Sequence, residues 1–82
     1  MSSLHISSAT EQAIGREAVE AYEKALERLK PEEREAIIAR VELGYSYEEL
    51  AVTLDKPSAE AARKTAQRAL VRLAGEMKRG RE

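Results

Sequence analysis

The chain has 82 residues, 35% of them charged, with no cysteine and a formal net charge of -1. A chain this short makes one small domain that buries only about 60% of its unfolded surface, so it needs an efficient core or a partner. Disulfides and thiolate metal sites are excluded. No apolar run approaches the ~20 residues of a membrane span and no basic-then-apolar leader opens the sequence, so a soluble cytoplasmic domain without membrane contact is expected.

Residues 1–7 show no periodicity and read as a flexible N-terminus, leaving a single domain over residues 8–82. Ser8 with Glu11 fits a capping box. Ile14, Ala18, Ala21, Tyr22, Ala25, Leu26 and Leu29 then recur at helical spacing, which predicts a first helix to about Leu29. Lys30-Pro31 breaks it, because Pro31 disfavours helical geometry at Lys30 yet suits the first position of a new helix. Glu32, Glu33 and Glu35 lie near the positive end of that second helix. It carries Ile37, Ile38, Val41 and Leu43 and is predicted to stop at Gly44, a natural left-handed terminal residue.

Ser46 with Glu49 makes another capping box, and Tyr45 can pack on Leu50 as a hydrophobic staple. The third helix is short and ends near Leu54. Ser58 caps the fourth, whose stripe of Ala62, Ala66, Ala69, Leu70, Leu73 and Met77 runs until Gly80. Ile14, Leu26, Leu29, Ile37, Ile38, Val41, Leu50, Leu54, Leu70, Leu73 and Met77 form the expected core. The expected fold is all-α, a four-helix domain with a C-terminal helix-turn-helix.

Charge is partitioned along the chain. Residues 1–55 hold six Lys or Arg against twelve Asp or Glu, a net of -6; residues 56–82 hold eight against three, a net of +5. One end suits phosphate and the other avoids it. On a helical wheel with Ala62, Ala69 and Leu73 inward, Glu60, Arg63, Lys64, Gln67, Arg68 and Val71 point away from the core. Arg and Lys suit guanine or phosphate, Gln suits adenine, and Glu accepts from cytosine. Val71 is the misfit on that face. With Tyr22, Tyr45 and Tyr47 as the only aromatics, stacking on single strands is disfavoured and duplex DNA is the better target.

Three stretches stand out along the chain: ALERLKPEEREAIIAR at Ala25 to Arg40, ELGYSYEELA at Glu42 to Ala51, and QRALVRL at Gln67 to Leu73. By their order and spacing the chain, from about Tyr22 to Met77 and so over roughly two-thirds of its length, resembles region four of bacterial sigma factors, especially the extracytoplasmic-function type. The resemblance implies reading of the minus-thirty-five promoter element by the last helix and docking on the flap of the RNA polymerase beta subunit. It assigns Ser58 as cap and Glu60, Arg63, Lys64, Gln67 and Arg68 as the groove-facing set. Arg72 and Lys78 become later phosphate contacts, while Tyr47 and Glu48 approach the backbone from the supporting helix.

The chain departs from the family pattern in three places. Its turn, Leu54-Asp55-Lys56-Pro57-Ser58, is one residue longer and lacks the usual Gly; Ala61 and Ala62 replace a Thr-Val pair. Nothing resembles the promoter-melting region two, so the chain reads as a domain excised from a longer factor. The rival reading is a protein-interaction module whose acidic helices dock polymerase or an anti-sigma factor with little DNA affinity alone. An enzyme is not expected: His5 is the single histidine, Ser7 and Ser8 have no partner base, and no phosphate loop or metal-ligand cluster is present, so no cofactor, metal or catalytic residue is assigned.

Overall fold

The computed structural model describes residues 8–80, with side chains from Gly15 onward. The expected flexible segment 1–7, the Ser8–Glu11 capping box and the core role of Ile14 lie outside the described residues or side chains. The described residues form α1 (Ser8–Arg28), α2 (Pro31–Ile37), α3 (Tyr47–Thr53) and α4 (Ala59–Gly80), with a π-helical turn, Ile38–Glu42, continuing α2. They contain no strand, as the helical periodicities predict.

Each break between helices has a local cause. Pro31 starts α2, where the Glu33 carboxylate accepts from the Lys30 N–H at 2.9 Å. Arg34 reaches back from α2 to donate to the carbonyls of Leu26 and Leu29 at 3.1 and 3.3 Å, satisfying acceptors left open where α1 ends. The capping box expected at α3 is present in both directions: Ser46 Oγ accepts from Glu49 N–H, and Glu49 Oε1 from Ser46 N–H.

The sequence predicts one regular second helix, carrying Leu43 and placing Val41 in the core, and here the structure differs. After Ile37 the helix widens, with the Leu43 N–H donating to the Ile38 carbonyl and the Tyr45 N–H to the Ala39 carbonyl, before Gly44 turns the chain at φ 72°. Wider winding changes which side chains face inward. Ala39 stays buried, whereas Val41 and Leu43 are exposed. Arg40 is drawn over the Tyr47 ring, 4.2 Å from its centroid, and donates to the Tyr45 carbonyl, clamping the α2–α3 connection.

Ile37 and Leu50 are the largest fully buried side chains, surrounded by Leu26, Leu29, Leu54 and Leu73. α4 packs on α1, α2 and α3 and is the hub of the domain. It does so with its smallest side chains, Ala62, Ala66 and Ala69, which are completely shielded or nearly so. The expected core is narrower at its margins. Leu70 is 40% exposed and Met77 packs only partly against the core. In α1 the stripe is buried from Ala25 onward, while Ala18 is exposed on an open groove that it lines with Ala21, Ala74, Met77 and Lys78.

Tyr22 joins α1 to the π turn by donating to the Glu42 carboxylate at 2.7 Å. Burial, and then this bond to a carboxylate, push its phenol from 10.0 up to about 12. The fold favours the neutral phenol, so this contribution is complete below pH 10.0 and is lost as pH rises towards 12. Alkaline absorbance titration should show one phenol ionising near pH 12 that is missing in Tyr22→Phe. That variant should lose about 1 kcal/mol in chemical denaturation.

The glycine-free turn is closed by a left-handed aspartate. Asp55 has φ 57°; its N–H donates to the Val52 carbonyl at 3.2 Å and the Lys56 N–H to the Ala51 carbonyl at 2.7 Å. This is the Schellman pattern, with Asp55 where glycine is usual. Asp55→Gly should therefore raise stability by about 0.5–1 kcal/mol and Asp55→Val lower it by a similar or larger amount, both read from denaturation midpoints.

Candidate nucleic-acid interface

The turn after α3 delivers the chain to the start of α4. Ser58 Oγ accepts from the Ala61 N–H at 3.1 Å and the Ser58 carbonyl from the Ala62 N–H at 3.1 Å, so Ser58 is the N-cap that its position predicts. Lys56 Nζ lies 3.1 Å from Glu32, fastening the turn to the first turn of α2. At the start of α4, Thr65 is buried and donates its hydroxyl to the Ala61 carbonyl at 3.1 Å. The buried hydroxyl is thereby satisfied within the helix.

Glu60 and Arg63 face each other on the first turn. Arg63 donates through Nε to Glu60 Oε1 at 2.9 Å, and its NH2 group makes a second, short bond to Glu60 Oε2. These bonds hold the Glu60 carboxyl below the usual carboxylate range and raise the guanidinium above its own. The two residues, expected as separate groove-facing groups, form one closed pair whose charges cancel. Arg63 is half-buried and Glu60 exposed.

Lys64, Arg68 and Arg72 follow at intervals of four residues along the exposed side of α4. They form a row about 12 Å long. None of the three has an ion-pair partner among the described residues. Gln67 is exposed beside Lys64 and Arg68, and these three line one shallow depression with Val71. Lys78 is exposed but stands about 21 Å along the axis from Lys64, beside a groove also lined by Ala18, Ala21, Ala74 and Met77. The structure thus brings together Lys64, Gln67, Arg68 and Arg72, and sets Lys78 apart.

The supporting helix supplies less than expected. Tyr47 is half-buried with Arg40 over its ring, and Glu48 is an exposed carboxylate in the first turn of α3. Sequence reasoning left Arg40 without a role and did not assign Asp55 a backbone conformation. The missing glycine in the turn was the available signal for Asp55; nothing in the helical spacing marked the π turn that redirects Arg40. A second exposed region is an open apolar depression between α2 and the α3 connection, lined by Pro31, Ile38, Leu43 and Tyr45 among others.

A short capped helix, a tight turn and a long basic helix lying across three others define a helix-turn-helix domain. Residues 19–73 match the family model described as Sigma-70, region 4, and the chain belongs to this family of DNA-binding sigma-factor domains. No curated protein and no solved structure matches it. No helix among the described residues is long and apolar enough to cross a membrane.

Ser58→Ala should cost about 1 kcal/mol of stability, read from thermal or chemical unfolding, because the Ala61 N–H loses its acceptor. An unchanged midpoint would remove Ser58 from the capping role.

Proposed function

We propose that α4 reads the minus-thirty-five element of bacterial promoter DNA, the domain serving a cytoplasmic sigma factor of the extracytoplasmic-function type in transcription initiation. The observation that carries this reading is the row of Lys64, Arg68 and Arg72, without ion-pair partners among the described residues, on the exposed side of the second helix of the helix-turn-helix. Helix-turn-helix domains present the N-terminal part of the second helix to base edges in the major groove. Lys64 and Arg68 then contact guanine or phosphate, Gln67 contacts adenine, and Arg72 contacts phosphate. Ser58 fixes the leading end of the helix. Glu60 holds Arg63 in one orientation for base contact. Lys78 reaches phosphate only along a more distant stretch of backbone.

The apolar depression lined by Pro31, Ile38, Leu43 and Tyr45 supports a second, compatible contact with the flap of the RNA polymerase beta subunit. Its exposed Leu43 and the neighbouring Val41 are apolar surface that a partner would cover. An anti-sigma factor could act by covering that surface or the basic row.

Fluorescence anisotropy against a randomised duplex pool and a selected promoter-like duplex, at two salt concentrations, tests the reading. Four to six phosphate contacts give a log-log salt slope of about -0.9 per contact. Lys64→Ala should weaken selective binding by about 1–3 kcal/mol if Lys64 meets a base, or flatten the salt slope by about 1 if it meets phosphate. Absence of duplex binding at both salts, with polymerase binding intact, would overturn the DNA reading in favour of the interaction module.

A further inference from the structure

We propose that Val71 is a specificity-determining residue that contacts the 5-methyl group of a thymine in the major groove; this rests on the DNA reading of α4 given above. Val71 is 74% exposed, yet it is surrounded by polar and charged side chains that project from the same face. It stands three residues after Arg68, four after Gln67 and seven after Lys64, the spacings that bring helical side chains into one neighbourhood. All four residues line the same shallow depression. The buried stripe of Ala62, Thr65, Ala66, Ala69 and Leu73 lies on the opposite side of the helix.

Core packing therefore does not account for Val71. Helix formation does not favour it either, because a β-branched side chain loses rotamer freedom in a helix and an unbranched one would suit an exposed position better. Val19, Val41, Leu43 and Val52 are also exposed, but they lie outside α4, and Leu70 on α4 is exposed to only 40%. In the major groove, thymine differs from the other bases by an apolar methyl beside its O4 acceptor. A valine one helical turn beyond Gln67 complements such an edge. Gln67 can pair with the N6 and N7 atoms of an adenine, while Val71 covers the methyl of a thymine in the same or the adjoining base pair. Arg72 holds a flanking phosphate, and Lys64 and Arg68 add to the charge complementarity that brings this face to DNA.

The contact removes water from two apolar groups and forms no hydrogen bond, so its signature is methyl dependence without a change in salt dependence. The test uses the full 82-residue chain and the duplex it selects from a randomised pool, with each thymine replaced in turn by deoxyuridine, which deletes only the methyl. At one position deoxyuridine should weaken binding by about 3–10-fold while leaving the salt slope unchanged. Val71→Ala, which keeps the helix, should bind the thymine and deoxyuridine duplexes equally and retain its affinity for unselected duplex. The proposal is overturned if no thymine shows methyl dependence, or if Val71→Ala keeps the same preference. A wild-type chain that binds no duplex at all would fail the DNA reading itself and this proposal with it, an outcome distinct from selective but methyl-independent binding.

Discussion

Close approach of the alanine face of α4 to the rest of the domain is the constraint on which the other features depend. Ala62, Ala66 and Ala69 are almost wholly shielded, and α4 is the one helix in extensive contact with all three others. Small side chains allow the helix axes to come near, and interiors packed to crystal-like density leave little room for alternatives. Little apolar area is buried per alanine, so the stabilising bulk comes from the leucines and isoleucine that surround the contact. Ile37, Leu50, Leu54 and Leu73 each contribute roughly 1.5–3 kcal/mol on full burial. The outcome is a long helix whose inward side is flat and whose outward side is free to carry charge.

The turn into α4 solves a backbone problem without glycine. Asp55 accepts a left-handed conformation, its neighbours complete the Schellman hydrogen bonds, and the Lys56–Glu32 pair attaches the turn to α2. Ser58 then caps the helix within two residues of that attachment. The start of α4 is thereby fixed both through its own backbone and through a contact with a different helix. A recognition helix needs this, because small errors at its leading end grow along its length.

Charge is distributed with similar selectivity. Lys56 is paired with Glu32, Arg63 with Glu60, and Arg28 and Arg79 both flank Glu76 at 3.7 Å. These pairs take four cations out of consideration as ready phosphate ligands. Lys64, Arg68 and Arg72 remain without ion-pair partners among the described residues, and they share one side of α4. A net charge near zero for the whole chain is therefore compatible with a locally basic surface, since exposed charges beyond a Debye length of about 8 Å are largely screened from one another.

Most of the fold was legible in the sequence because its signals are local. Pro31, the Ser46–Glu49 box and Ser58 act on their own few residues, and the alanine stripe of α4 follows from periodicity alone. Val41, Leu43 and Arg40 were not legible, since a π turn alters the angular increment between residues and is set by how α2 and α3 meet. Asp55 lies between these cases: the absent glycine marked the turn, but the left-handed φ appears only once the helices on both sides are placed. For the interface, the sequence by itself determined which side of α4 faces outward and that this side is rich in cations. Only the tertiary structure decided that Lys56 is tied to Glu32, that Tyr47 lies under Arg40, and that Lys64, Arg68 and Arg72 are left without ion-pair partners among the described residues. Helical spacing specifies direction from an axis, whereas the pairing of a charge depends on the side-chain geometry and the neighbouring elements that the assembled fold places beside it.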